Sequence, residues 1–383
     1  MKKLLTLLLL TSSLELYAQS FVAPAPKLDL KAYILIEPQT GTVIAEYNSD
    51  DRIEPASMTK IMTSYIAADQ ITTNDNETLS DKVKISEKAW GMGGSRMFIK
   101  EGDYVSVEDL LRGVIIQSGN DASVAIAEHF GGDEDGFTDL MNAYAKSLGM
   151  MNTQFKNSTG LPAEEHYSSA RDLAMLTSSF ISKFPDIYSM HKEKIFEYGG
   201  VSSNKRNKNT LLWRDDSADG VKTGYTSSAG YCLVGSAKRG GMRLITVVAG
   251  SASDKKRFDD TQRLLEYGFR FFSTQEVLKQ NQEYKTVKVW GGQKPEIGLG
   301  VASDQILTLP RSDFKNLQIN YIYKNNIQAP IKKGDVFGSI EIISNDNPVL
   351  VTDLVALDEV EAKGFFGRLW SKFILWIMSL FGG

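Results

Sequence analysis

Ser57-Met58-Thr59-Lys60 sets a hydroxyl and an amine three residues apart, which on a helix brings both to one face a single turn apart. A serine hydroxyl is a weak nucleophile until a neighbouring base takes its proton. Lysine fills that role once burial or nearby positive charge keeps it neutral for part of the time. The stretch expected to carry the pair is helical: between residues 55 and 68 apolar side chains recur at 58, 61, 62, 65 and 66, and Pro55 suits a first helical turn. A helix N-terminus there would also turn backbone N–H groups toward a developing oxyanion. The spacing alone is a weak signal, because S-x-x-K recurs at Ser189, Ser202, Ser253 and Ser312.

Two further stretches supply complementary chemistry. Ser118-Gly119-Asn120 follows an apolar helical run; Ser118 would relay a proton between Lys60 and a leaving amine, and Asn120 would hydrogen-bond a substrate amide and fix the lysine. Their plainer reading is a helix cap followed by a turn. Lys222-Thr223-Gly224 is expected to open a strand. The Lys222 charge would hold a terminal carboxylate and help lower the pKa of Lys60, and Thr223 adds a hydroxyl to that carboxylate. Gly224 would let a peptide approach closely enough to add as an extra strand. The three histidines, His129, His166 and His191, have no metal-binding spacing, so packing or surface roles are expected of them. The lone cysteine, Cys232, reads as an inert residue of a buried strand. Neither a metal nor an organic cofactor is implied.

These motifs need a scaffold of helices and strands. Residues 32–36 and 42–47 alternate as strands around a Pro38-Gln39-Thr40-Gly41 turn; helical patterns cover 107–116, 121–130, 136–148 and 170–180; strands return at 230–237 and 242–249, and a closing helix is expected over 261–272. Beyond about residue 275 short β-like runs at 285–290, 305–309, 317–323, 336–343 and 349–354 are separated by Gly, Pro and Asn, which predicts a small all-β domain. A chain of 383 residues exceeds the usual size of one hydrophobic core.

The two ends carry different messages. Lys2 and Lys3, then the apolar run Leu4 to Leu10, then polar residues and Leu16-Tyr17-Ala18, have the order of a secretory signal peptide, so residues 1–18 are set aside from the fold. Residues 363–383 place Phe365, Phe366, Leu369, Trp370, Phe373 and Trp376 on a broad apolar face with Arg368 and Lys372 largely opposite. Those charges leave too short an uncharged run to span a bilayer, and the pattern predicts an amphipathic helix lying on a membrane surface. A net charge of -4 provides no footprint for nucleic acid.

With S-x-x-K, S-x-N and K-T-G in this order, the chain resembles the serine penicillin-recognising enzymes. Within them it is similar to the low-molecular-mass penicillin-binding proteins that act as D-alanyl-D-alanine carboxypeptidases in Gram-negative bacteria. The resemblance runs almost end to end and includes Tyr167-Ser168-Ser169-Ala170-Arg171-Asp172, Gly268-Phe269-Arg270-Phe271-Phe272 and Gly364-Phe365-Phe366-Gly367. It implies an α/β (α+β) transpeptidase and β-lactamase-like catalytic domain over 19–274, a smaller all-β domain over 275–362 and an amphipathic anchor over 363–383. It further implies that Ser57 forms the acyl-enzyme, Lys60 is the base, the backbone N–H groups of Ser57 and Tyr225 make the oxyanion hole, and Arg257 helps bind the substrate carboxylate. Expected partners are peptidoglycan stem peptides, β-lactam inhibitors and the periplasmic surface of the inner membrane.

Lys208 stands where relatives often carry arginine, and Thr159 where some carry histidine; both bear on substrate detail and deacylation rather than reaction class. A class A β-lactamase would need an E-x-x-L-N glutamate, whereas Glu164 and Glu165 are followed by His166-Tyr167-Ser168. A murein endopeptidase and a non-catalytic envelope scaffold of the same fold are the remaining alternatives; the complete set of Ser57, Lys60, Ser118 and Lys222 argues against the scaffold.

Overall fold

The computed structural model describes residues 23–200 and 205–380, so the expected signal peptide at 1–18 lies outside the described residues. An antiparallel five-stranded sheet organises the larger part of the chain, in the spatial order Thr42–Tyr47, Ala32–Glu37, Met242–Ser251, Gly230–Arg239 and Ala218–Thr226. The expected first hairpin is present, with Gly41 at φ +71° closing its turn. Ala32–Glu37 is buried along its whole length because helices cover both faces of the sheet. On one face the helix Asp254–Phe271 packs Phe258, Leu264 and Leu265 against Leu35, Leu233, Leu244 and Val248. On the other, an apolar cluster built from the helices Lys60–Thr73, Asn120–Gly131 and Ala170–Lys183 meets Ile34, Val234 and Val247. Each such buried aliphatic or aromatic side chain contributes roughly 1.5–3 kcal/mol relative to exposure. The helix starts are marked by Ser106, Ser169 and Ser253, whose side chains accept the N–H three residues on, a cap worth about 1 kcal/mol each.

Several boundaries differ from the sequence reading. The closing helix begins at Asp254 rather than 261, because Ser253 caps it and a charged first turn continues the amphipathic face. Arg257 therefore sits on that helix. Lys222-Thr223-Gly224 does not open its strand but occupies the second half of Ala218–Thr226. The first five residues of the expected 55–68 helix include a 3-10 turn, Ala56–Thr59, and the α-helix proper runs Lys60–Thr73. Short elements without strong periodicity, including the Lys82–Lys84 and Tyr104–Ser106 pair, were not legible in the sequence.

The second domain is β-rich, as expected. Phe272–Leu278 leaves the closing helix directly and pairs with Gln305–Pro310, and a six-stranded sheet follows in the order Gln318–Tyr323, Val336–Ser344, Asn347–Ala356, Glu296–Gly300, Lys285–Trp290 and Ile327–Gln328. The strands at 272–278, 296–300 and 327–328 are additions to the sequence reading. Leu299, Ile340, Ile342 and Leu354 form its small core. It is tied to the larger domain through Thr308, whose hydroxyl lies 2.9 Å from Thr40 Oγ1 and 3.2 Å from the buried carboxylate of Glu37. The terminal helix, Phe365–Leu380, leaves Phe365, Phe366, Leu369, Trp370, Phe373 and Trp376 exposed. Among the described residues no helix is long and apolar enough to cross a membrane.

Candidate active site

Ser57 lies in the Ala56–Thr59 turn and Lys60 at the start of the α-helix behind it, so the i, i+3 relation survives the local change of helix type. Lys60 Nζ lies 3.1 Å from Ser57 Oγ. It also donates to Asn120 Oδ1 at 2.7 Å and to the Thr159 carbonyl at 2.5 Å. The side chain is 1% exposed, and burial pushes its ammonium down to about 7, opposed by the nearby Asp121 carboxylate. A lysine with that pKa is neutral in about half the molecules at neutral pH, the state in which it accepts a proton.

Ser118 is delivered by an unusual helix end. The helix Val107–Arg112 widens into π geometry over Gly113–Gln117 and stops where Ser118 takes a left-handed backbone, φ +60°. The helix Asn120–Gly131 starts two residues later. Asn120 is thereby pinned on both sides: its Oδ1 faces Lys60, and its Nδ2 donates to the Gly93 carbonyl at 2.7 Å. Asp121, which the sequence reading passed over, holds the neighbouring loop by accepting the N–H groups of Met97 and Phe98 at 3.0 and 2.8 Å.

Lys222, Thr223 and Gly224 come from the strand at the open edge of the five-stranded sheet. Lys222 Nζ donates to Ser118 Oγ at 2.8 Å. Its pKa falls well below the ordinary lysine value, first through burial and then through the positive charges of Lys60, Arg257 and Lys208. The expectation that Lys222 helps lower Lys60 is not met: burial lowers Lys60, Asp121 opposes it, and the charge effect between the two lysines falls on Lys222, which Lys60 helps to lower. Ser118 stands with Lys222, and no direct bond to Lys60 is formed.

At Gly224 a Cβ would come within 2.9 Å of the Pro55 carbonyl and 3.2 Å of Ala56 Cβ, so the strand passes directly against the turn that carries Ser57. Tyr225 follows, half exposed, its ring 4.4 Å from that of Tyr231. Arg257 reaches the same strand from the closing helix, Nη1 donating to the Gly224 carbonyl at 3.1 Å and Nη2 to Asp254, while burial lowers its pKa. All nine sequence-derived residues therefore belong to one neighbourhood, at the junction of the Ser57 turn, the Ser118 bend and the sheet edge.

The chain as a whole has counterparts among known proteins. Residues 19–253 match the family model described as D-alanyl-D-alanine carboxypeptidase, and residues 272–362 match the one described as penicillin-binding protein 5, C-terminal domain. The chain belongs to the D-alanyl-D-alanine carboxypeptidase family. It is 42% identical over 377 residues to D-alanyl-D-alanine carboxypeptidase DacC of Escherichia coli, spanning 95% of this chain and 94% of that relative. Among solved structures it is similar to penicillin-binding protein 5 of Haemophilus influenzae, with a TM-score of 0.81 and 36% identity over 88% of this chain and 99% of that one. A penicillin-binding protein of Listeria monocytogenes, solved with ampicillin bound, aligns with a TM-score of 0.59 and 29% identity over 64% of this chain and 100% of its own. The protein is accordingly a serine-type D-Ala-D-Ala carboxypeptidase acting on peptidoglycan, within a family that interacts with β-lactams. Family membership supports an exported, membrane-associated periplasmic location.

What the motifs did not reveal is the loop 157–166. Its Thr159 carbonyl holds Lys60, Thr63 Oγ1 donates to the Ser158 carbonyl at 2.7 Å, and Ser158 Oγ donates to Glu134 at 2.9 Å. Backbone carbonyls carry no residue signature; Gly160, at φ +80°, is where the loop makes its tight approach.

Proposed function

We propose that Ser57 is the nucleophile, Lys60 the general base, and that the edge strand Ala218–Thr226 receives the stem peptide as an added strand. The terminal carboxylate is held by Lys222 and Thr223, with Arg257 supporting the strand from behind. Lys60 takes the hydroxyl proton as Ser57 Oγ bonds the carbonyl carbon of the penultimate D-alanine, and the backbone N–H groups of Ser57 and Tyr225 bind the oxyanion. As the intermediate collapses the terminal D-alanine leaves, its amine taking that proton by way of Ser118, and Asn120 keeps both the substrate amide and Lys60 in register. Water then attacks the ester, giving a proton to Lys60 while Ser57 regains one, which restores the starting state.

The observation that carries this reading is the Lys60 environment: a buried amine with a pKa of about 7, 3.1 Å from a seryl oxygen. A β-lactam amide mimics the same acyl donor, so a fluorescent penicillin should attach covalently to the wild type and not to Ser57→Ala. Mass spectrometry of a muropeptide pentapeptide should show loss of one alanine. Labelling that persists in Ser57→Ala contradicts the assignment of the nucleophile. For location, we infer that residues 1–18 direct export and that the exposed aromatic face of Phe365–Leu380 lies in the lipid headgroup region at the periplasmic face of the inner membrane.

A further inference from the structure

His166 is 5% exposed and bridges two parts of the chain 107 residues apart. Its Nδ1 accepts the N–H of Lys156 at 3.0 Å, which leaves the ring proton on Nε2 and lets Nε2 donate to Thr59 Oγ1 at 2.9 Å. Thr59 is the residue before Lys60. On the other side of the same loop Thr63 Oγ1 donates to the Ser158 carbonyl at 2.7 Å. Between these two fastenings the loop presses backbone to backbone on the nucleophile turn: a Cβ at Gly160 would lie 1.8 Å from the Ala56 carbonyl and 2.9 Å from Thr59 Oγ1. Asn157 Oδ1 accepts the N–H groups of Thr159 and Gly160 at 3.2 and 2.7 Å, which fixes the turn from which the Thr159 carbonyl reaches Lys60 Nζ at 2.5 Å.

We propose that His166 is a positioning residue for the base: its bond to Thr59 closes the 157–166 loop over Lys60, keeping water out and the Thr159 carbonyl in contact. The proposal rests on the reading of Lys60 as the base. The imidazole suits the task because burial pushes its pKa down to about 4, so it stays neutral and keeps Nδ1 free to accept from Lys156 across the range in which the enzyme works. The charged groups around this contact are Glu54, which raises the imidazole, and Lys60, which lowers it; around Lys60 they are Asp121 and Lys222.

Opening the loop exposes Lys60 to water and relieves the burial that lowers it, so the acid limb of the acylation profile moves to higher pH. In His166→Ala the midpoint should rise by about one pH unit, cutting the rate near pH 6 by roughly tenfold while the alkaline plateau changes little. A general loss of structure would instead lower the rate at every pH. Glutamine reproduces the Nε2 donor and asparagine the Nδ1 acceptor, so His166→Gln should restore the limb and His166→Asn should not. The assay is the rate of fluorescent-penicillin acylation across pH 5 to 9, with the melting temperature of each variant measured alongside.

An unshifted profile in folded His166→Ala, or equal rescue by asparagine and glutamine, overturns the proposal. Should His166→Ala fail to fold, Thr59→Val removes the same bond from the other partner at similar volume, and an unshifted profile there overturns it equally. Failure of the underlying reading looks different: a wild-type profile with no limb near pH 7, or normal acylation in Lys60→Ala.

Discussion

Changing pH alone tests the central assignment. If the pKa of Lys60 is about 7, the neutral fraction is about one half at pH 7, roughly 0.09 at pH 6 and roughly 0.01 at pH 5. The second-order rate of acylation should therefore fall about 50-fold from pH 7 to pH 5, with a slope approaching one decade per pH unit, and should level off above about pH 8. The sign follows from burial, which disfavours the ammonium: deprotonation yields the base, so activity is present above the folded pKa and lost below it. Lys60→Arg keeps the charge but cannot titrate in this range, and loss of the general base should lower acylation by about 10²–10⁴ on the alkaline plateau and remove the limb near pH 7. Rapid-quench measurement with a fluorescent penicillin at constant ionic strength separates acylation from turnover. A rate that stays flat from pH 5 to 8 in the wild type, or a Lys60→Arg variant that acylates within tenfold of it at pH 8, would refute the reasoning.

Three further outcomes follow from particular contacts. Asn120→Ala removes an acceptor of Lys60 and the tether to Gly93, and should lower kcat/KM for a D-Ala-D-Ala peptide by roughly 10–100-fold, a loss of about 1.4–2.7 kcal/mol in transition-state stabilisation. Lys222→Ala should erase most of the preference for a free terminal carboxylate over the corresponding amide, read as the ratio of kcat/KM for the two peptides; an unchanged ratio places carboxylate capture elsewhere. Gly160→Ala forces a Cβ against the Ala56 carbonyl at φ +80° and should destabilise the fold by about 2–5 kcal/mol, the sum of left-handed backbone strain and overpacking, measured by denaturant unfolding.

The residues proposed for catalysis and substrate binding were legible in the sequence because their chemistry lies in side chains at short, fixed spacings: Ser57 with Lys60, Ser118 with Asn120, and Lys222 with Gly224. Long amphipathic helices and the strands Gly230–Arg239 and Met242–Ser251 were legible for the same reason, since periodicity records which face is buried. What escaped was everything decided by backbone. The 3-10 turn under Ser57, the π segment before Ser118 and the Thr159 carbonyl leave no pattern in residue type. Yet these set the geometry of the site: the π segment and the left-handed Ser118 turn its hydroxyl toward Lys222, and the loop carbonyl supplies one of the three contacts that confine Lys60. His166 shows the same limit from the other direction. As an isolated histidine it read as packing, and packing it is, but its two ring nitrogens join a loop to the residue preceding Lys60. Its role follows from what that loop holds against Lys60, a relation that exists only once residues 59 and 166 have been brought together by the fold.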